Sequence, residues 1–233
     1  NFSAAGAVNM RYRDAVETPL ASFEAGENNY RRALLAASPE FRDGALLLGI
    51  EHAQSDGPWD LPQDFRKTNA MLRYRSASAS RRLAITAQAY DGEWRSTDQI
   101  PLRAVRSGEI DRFGFIDGSD GGNSHRYSLG VDWTSQWGGG QLRAHAYAVD
   151  YRLDLFSNFT YATDRDNGDQ FEQFDDRRVY GGAASWNRTL QWGGLENDLA
   201  VGVELRRDDV DTVGLYRTRA RERIGTVGEV AVV

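Results

Sequence analysis

The chain has no cysteine, which excludes disulfides, thiolate metal centres and cysteine nucleophiles together. Its three histidines, His52, His125 and His145, fit no HExxH or other paired metal spacing, and no GxSxG elbow or P-loop occurs. Basic runs are missing too. The net charge is −6 and the pI near 5.2, so the footprint of a nucleic-acid partner is not there. Long apolar runs are lacking: the longest reaches from Ala45 to Ile50, against the ~20 residues a spanning helix needs. Mean hydropathy is −0.59. A membrane barrel escapes both tests, because only alternate residues of its strands touch lipid. The first residues, Asn1 to Ala7, are small and polar, without an initiating Met or a signal-peptide pattern. The expectation is an internal piece of a longer protein.

What is present is turn-forming and strand-forming: 24 glycines, 10 tyrosines and 6 tryptophans. A period-two alternation restarts about ten times, in segments near the ~9–11 residues of a tilted barrel strand. The cleanest puts Tyr127, Leu129, Val131 and Trp133 on one face, with Arg126, Ser128, Asp132 and Thr134 on the other. Val8, Met10 and Tyr12 alternate with Asn9, Arg11 and Arg13, and after a turn around Asp14 to Pro19 the pattern resumes at Ala21, Phe23 and Ala25. Tyr30 to Ala37 is less regular. Leu46, Leu48 and Ile50 share a face, blurred by Leu47. Ala70, Leu72 and Tyr74 oppose Asn69, Arg73 and Arg75; Leu83, Ile85, Ala87 and Ala89 oppose Thr86, Gln88 and Tyr90. Leu142, Ala144, Ala146 and Ala148 oppose Arg143, His145 and Tyr147. Val179 to Trp186 is a glycine-rich strand, and Leu199, Val201, Val203 and Leu205 oppose Asp198, Glu204 and Arg206.

The connections sort by length. Ser76 to Ser80 and Gln136 to Gly140 are short and polar, while Ser55 to Phe65, Asp91 to Ser124 and Tyr151 to Arg177 are long. Strict alternation of the two kinds through the middle and end of the chain is what a barrel with tight periplasmic turns and large extracellular loops produces. Gln136-Trp137-Gly138-Gly139 recurs as Gln191-Trp192-Gly193-Gly194, placing a Trp beside each short turn, where an interfacial aromatic girdle belongs. The polar faces carry Arg11, Arg13, Arg73, Arg75, Arg126, Arg143 and Arg206. Facing a solid core these would be ruinous; facing a hydrated lumen they are ordinary.

Two loop clusters read as turns rather than ligand sites. Asp117-Gly118-Ser119-Asp120-Gly121-Gly122 has no helix pattern after it, which makes it a loop tip and not a phosphate cradle. Asp164, Asp166, Asn167 and Asp169 raise calcium, but the glycine at Gly168 is the fifth position of that run where an EF-hand needs the sixth. The bland reading is an acidic loop whose side chains cap their own turns. No metal or other cofactor is expected.

The long loops carry a resemblance. Asp56-Gly57-Pro58-Trp59, the run from Thr97 through Pro101 to Val105, and Arg112-Phe113-Gly114-Phe115-Ile116-Asp117 resemble TonB-dependent receptors of Gram-negative outer membranes. So do Leu155 to Tyr161, Asn167 to Gln173 and the opening Phe2 to Val8, over about residues 2 to 225. The resemblance implies an all-β, antiparallel up-and-down transmembrane barrel of 22 strands, closed by a plug domain and energised through TonB. Its substrate would be a scarce nutrient of the siderophore-iron, cobalamin or oligosaccharide class, bound and passed with no bond made or broken. This chain would supply residues 1–233 as one partial barrel domain. It shows no plug, no TonB-contacting box, too few strands for closure, and at Glu229 to Val233 no aromatic-ended closing strand. Its partners would be outer-membrane lipid, the plug and remaining strands, TonB through the plug, and the nutrient; no nucleic acid is among them. Expected substrate contacts are the loop residues Trp59, Trp94, Asp98, Gln99, Arg103 and Asn158, then the lumen residues Arg73, Gln88, Tyr90, His145 and Tyr147.

Three rival readings remain at this point. A self-contained barrel of about 8 to 10 strands would act as an adhesin or small pore, provided its end strands pair. A soluble β-sandwich would stack sugars on Trp and Tyr, provided its apolar faces meet in a core. A membrane lipase barrel is weakest, for want of a Ser, His and acid arrangement.

Overall fold

The computed structural model describes residues 12–42, 44–76, 78, 81–158, 160, 163–164 and 168–230. Eleven strands form one antiparallel sheet: β1 (Leu20–Ala25), β2 (Arg31–Ala37), β3 (Glu40–Phe41), β4 (Gly44–Ser55), β5 (Phe65–Ser76), β6 (Arg81–Arg95), β7 (Gly121–Trp137), β8 (Gly140–Ser157), β9 (Phe171–Trp192), β10 (Leu195–Arg219) and β11 (Glu222–Val230). Consecutive strands pair throughout except β2 and β3: β3 is a two-residue stub on β4, and β2 pairs β4 directly. The sheet is an up-and-down meander and is not closed: β1 and β11 each have one partner. The one helix among the described residues, α1 (Leu102–Ser107), lies in the connection between β6 and β7.

Register shows why the alternation reads as it does. Ile50 lies opposite Ala70, Ala70 opposite Ala89, and Ala89 opposite Tyr127; Leu48, Leu72, Ala87, Leu129 and Ala148 make the next row. Apolar side chains from successive strands therefore build one continuous face. Among the described residues no second layer covers it. Ile50, Leu129 and Val203 are 49%, 50% and 59% exposed, where a sandwich core would bury them. That removes the sandwich reading, and an uncovered apolar face of this extent marks an interaction surface.

The face has the height of a membrane. From Tyr127 to Trp137, the last residue of the strand, β7 rises about 33 Å at ~3.3 Å per residue, or about 23 Å at a tilt of ~45°, close to the ~25 Å apolar band of outer-membrane barrels. Trp137 and Trp192 lie at the lower edge and are largely exposed. On the same face a polar row begins level with Tyr127, opposite which Asp150 and then Arg178 are paired: His125 Nε2 lies 3.1 Å from Asp150 Oδ1, and Arg178 Nε 3.2 Å from Asp150 Oδ2.

Turn chemistry fixes the lower end. Gly138 and Gly139 have φ of 57° and 72°, and Gly193 and Gly194 have 63° and 79°, the left-handed pairs that two-residue hairpins require. Within the strands, Gly181 makes room for a neighbour: a Cβ there would stand 2.4 Å from the Tyr147 ring, so that ring lies flat across the bare backbone.

Several expectations need correction. The strand read over Val8 to Arg13 falls largely outside the described residues, and Tyr12 and Arg13 are not in a strand. The long connections after Asp91 and Tyr151 are shorter than read, because β6 runs to Arg95, β7 begins at Gly121, β8 runs to Ser157 and β9 begins at Phe171. Strict alternation of loop lengths fails on the upper side. There β1 joins β2 through residues 26–30, and β10 joins β11 through Ala220 and Arg221 alone, at φ of 50° and 68°. β11 itself was not read as a strand.

Candidate functional site

The polar face of the sheet is laced with charge pairs. Glu51 accepts from Arg32 Nη2 at 2.7 Å and Lys67 Nζ at 2.9 Å, and Arg32 Nη1 reaches Glu24 at 2.5 Å. Lower down, Arg73 Nη1 donates to Thr86 Oγ1 at 2.6 Å and its Nη2 to Asp14 Oδ1 at 3.1 Å. Arg75 also pairs with Asp14, Tyr12 Oη donates to Gln88 Oε1 at 3.0 Å, and the Tyr12 ring lies 5.7 Å from the Arg73 guanidinium carbon. The segment from Tyr12 to Asp14 therefore enters β1 from the polar side of the sheet and is held there by ion pairs. Between β4 and β7 the polar face also borders a cavity of about 400 Å³ lined by Asn69, Gln88, Tyr90, Arg126 and Ser128.

The upper end holds a second group. The connection between β6 and β7 brings three carboxylates, Asp98, Asp117 and Asp120, against Asn158 and Gln170, which flank the connection between β8 and β9. The Asn158 main-chain N–H lies 3.0 Å from Asp120 Oδ2 and 3.1 Å from Asp98 Oδ2. Gln170 Nε2 donates to Ser119 Oγ at 2.8 Å and Asp120 Oδ1 at 2.9 Å. On its other side Gln170 Oε1 accepts from Thr218 Oγ1 at 3.0 Å and the Arg221 N–H at 2.8 Å. Arg221 Nε then donates to the Ser119 carbonyl at 2.6 Å. Asp120 and Thr218 are fully buried. Burial pushes the Asp120 carboxyl up to about 7, a rise that the neighbouring Asp117 and Asp98 charges reinforce.

The structure distributes the sequence-derived residues unevenly. Asp98 and Asn158 meet in this upper group. Trp94 lines an upper polar cavity of about 710 Å³ with Arg66, Glu93, Arg95, Asn123 and Arg221. Trp59 packs on Phe113 instead, with ring centroids 6.1 Å apart. Gln99 and Arg103 are exposed on and before α1. On the polar face Arg73 and Gln88 are engaged by Asp14 and Tyr12, and Tyr90 stands over Gly92, where a Cβ would lie 2.5 Å from its hydroxyl. His145 and Tyr147 stack at 6.4 Å farther along the sheet. From sequence Asp120 reads only as part of a loop tip and Gln170 only as part of a loop string that carries the resemblance, while Thr218 and Arg221 carry no signal. Of the acidic loop, Asp166 and Asn167 lie outside the described residues, while Asp169 accepts the N–H of Thr163 and of Asp164, each at 2.7 Å. Among the described residues no group of three or more His, Asp or Glu side chains is arranged to hold a metal ion.

A single open antiparallel meander with one apolar face and one charged face has the architecture of a β-barrel wall. Among solved structures it is similar to the ferric-catecholate import receptor Fiu from E. coli K12. The closed form matches with a TM-score of 0.65 and 15% identity over 91% of this chain. The open form matches with a TM-score of 0.64 and 14% identity over 89%. The chain spans 35% and 37% of the length of those receptor chains. No family profile matches the sequence, and no curated protein matches it at the level of sequence.

Proposed function

We propose that this chain is a barrel-wall segment, residues 1–233, of a TonB-dependent transporter in the outer membrane of a Gram-negative bacterium. It serves binding and gated passage of a scarce nutrient, with a ferric siderophore of the catecholate kind as the first candidate. The observation that carries the reading is the agreement of one open eleven-stranded sheet with an import receptor's barrel over 91% of the chain. Two features support it. The open edges at β1 and β11 leave backbone groups that lipid cannot satisfy, so further strands of the same barrel are the natural partners. The segment at Tyr12 and Asp14 is itself held on the polar side of the sheet by Arg73, Arg75 and Gln88.

In this reading Trp59, Trp94, Gln99 and Arg103 contact the incoming nutrient, and Asp98 and Asn158 shape the loops that present them. Arg73, Gln88, Tyr90, His145 and Tyr147 line the wall below. The test is uptake of radiolabelled ferric catecholate by cells with and without the gene that encodes this chain. Loss of uptake on deletion, and equal loss when the inner membrane is uncoupled, is the expected result. Passage that continues without inner-membrane energy would make the protein a passive pore and remove the TonB mechanism.

A further inference from the structure

The upper cluster is short of positive charge. Three carboxylates meet where the Asn158 N–H is shared between Asp98 and Asp120, and their other donors are neutral: Ser96 Oγ to Asp98, the Ser119 N–H and hydroxyl to Asp117, and the Gln170 amide to Asp120. The Asn158 amide reaches Asp117 Oδ2 at 3.4 Å, and so does the Gln170 amide. Asn158 is 5% exposed, and its Oδ1 is a buried acceptor with no hydrogen-bond partner. Such a site closes only if some of its negative charge is removed.

The charged groups around Asp120 do not remove it. Its own connection supplies Asp98 and Asp117, both acidic. Asn158 and Gln170, from the connection between β8 and β9, are neutral. Arg221, from the β10–β11 hairpin, donates to the main-chain carbonyls of Ser119 and Asp120, at 2.6 Å and 3.3 Å, and not to a carboxylate. Arg95 of β6 is paired with Asp64, and Arg223 of β11 with Glu172.

We propose that Asp120 is a proton-operated latch, which in its protonated form ties residues 96–120, the pair Asn158 and Gln170, and the β10–β11 hairpin into one cap. Gln170 is the cross-piece, since its amide holds Ser119 and Asp120 on one side and Thr218 and Arg221 on the other. Loss of the proton leaves a buried charge beside Asp98 and Asp117, and the three segments separate. This adds regulation to the wall described above and holds whichever solute the barrel passes.

The direction follows from the carboxyl's position near 7 in the closed cap, against ~3.9 for an exposed aspartate. The closed form binds the proton more tightly, so closure is strongest at low pH. It weakens by up to about tenfold per pH unit as the pH rises toward 7, and is flat above.

Amide hydrogen exchange on the intact outer-membrane protein that carries this chain tests the latch, with rates corrected for the intrinsic effect of pH. Between pH 5 and pH 8 the amides of Asn158, Thr218 and Arg221 are expected to lose at least tenfold in protection, while that of Tyr147 holds. Asp120→Asn is expected to abolish the pH dependence. Should that variant fail to fold, shown by loss of protection at Tyr147, Asp98→Asn carries the test: it removes one of the charges that raise the Asp120 carboxyl, so the transition moves to lower pH and protection at pH 8 rises. Equal protection at both pH values would overturn the latch. So would protection that follows added calcium at constant pH, since a cation would then hold the carboxylates together.

Discussion

Refolded by itself into detergent or lipid vesicles, the 233-residue chain is expected to aggregate and to give no heat-modifiable band on a gel. The reason is the two edges. β1 presents the outer side of Leu20–Ala25 and β11 that of Glu222–Val230 without a neighbouring strand. In water such edges template aggregation; in lipid each unsatisfied backbone group costs several kcal/mol, which no packing gain at the edge offsets. Supplying the remaining wall restores partners to both edges, so the same chain within its full barrel should migrate as a compact species until heated. A sharp heat-modifiable band from the chain alone would mean that β1 and β11 meet each other. The small self-contained barrel would then replace the transporter reading.

The second large effect concerns a single alternation. In the intact protein Leu129→Arg is expected to cost about 1–2 kcal/mol of folding free energy, between the ~2–4 kcal/mol for an arginine at the midplane of a barrel's lipid face and the ~0–1 kcal/mol near its interfaces. Leu129 is flanked by Ala87 and Ala148 on the apolar face, so neither neighbour offers a counter-charge. Ser128→Arg, one residue away but beside Gln88 on the charged face, is expected to change stability by under about 0.5 kcal/mol, as a solvated surface substitution does. Denaturant titration in vesicles separates the two. Equal costs would show that the faces are not divided between lipid and water.

How much of this was legible depends on where each residue sits relative to the band. The β7–β8 hairpin could be read directly, because Tyr127 to Trp133 alternates cleanly and the Gly138-Gly139 pair marks the turn. Farther up the same strands the signal changes phase. Residues Tyr151–Ser157 and Phe171–Arg177 extend β8 and β9 above the apolar band, where Tyr151, Leu153 and Leu155 fall on the face opposite Ala144, Ala146 and Ala148, so the alternation does not continue and these residues read as loop. β11 fails for a related reason: Gly225 and Gly228 interrupt it, and its pairing with β10 shifts register twice. At the start of the described chain, Tyr12 mimicked a strand residue because it is apolar and flanked by arginine, yet its contacts are with Arg73 and Gln88 on the polar face.

The upper group was half visible. Asp98 and Asn158 stood out as loop residues with chemistry, but as ligand contacts and not as parts of a buried junction. Asp120 was passed over as a turn residue in a glycine-rich tip. Its partner Gln170 is 50 positions away, and Thr218 and Arg221 come from a hairpin that sequence did not announce. Only the closed geometry of three connections reveals that one carboxyl is fully buried among them.

The central claim is that the two faces of the sheet meet different solvents. The chain has no cysteine, so within it each introduced thiol reports on its own position, and the intact protein with no cysteine added to this chain is the blank. Single cysteines placed from Arg126 to Trp133 in the intact protein, in native outer membranes, should react alternately. Positions 126, 128, 130 and 132 should take a water-soluble maleimide, and positions 127, 129, 131 and 133 only a lipid-soluble one. Uniform reactivity along the strand, or the reverse alternation, would contradict the assignment of these strands to a membrane barrel wall.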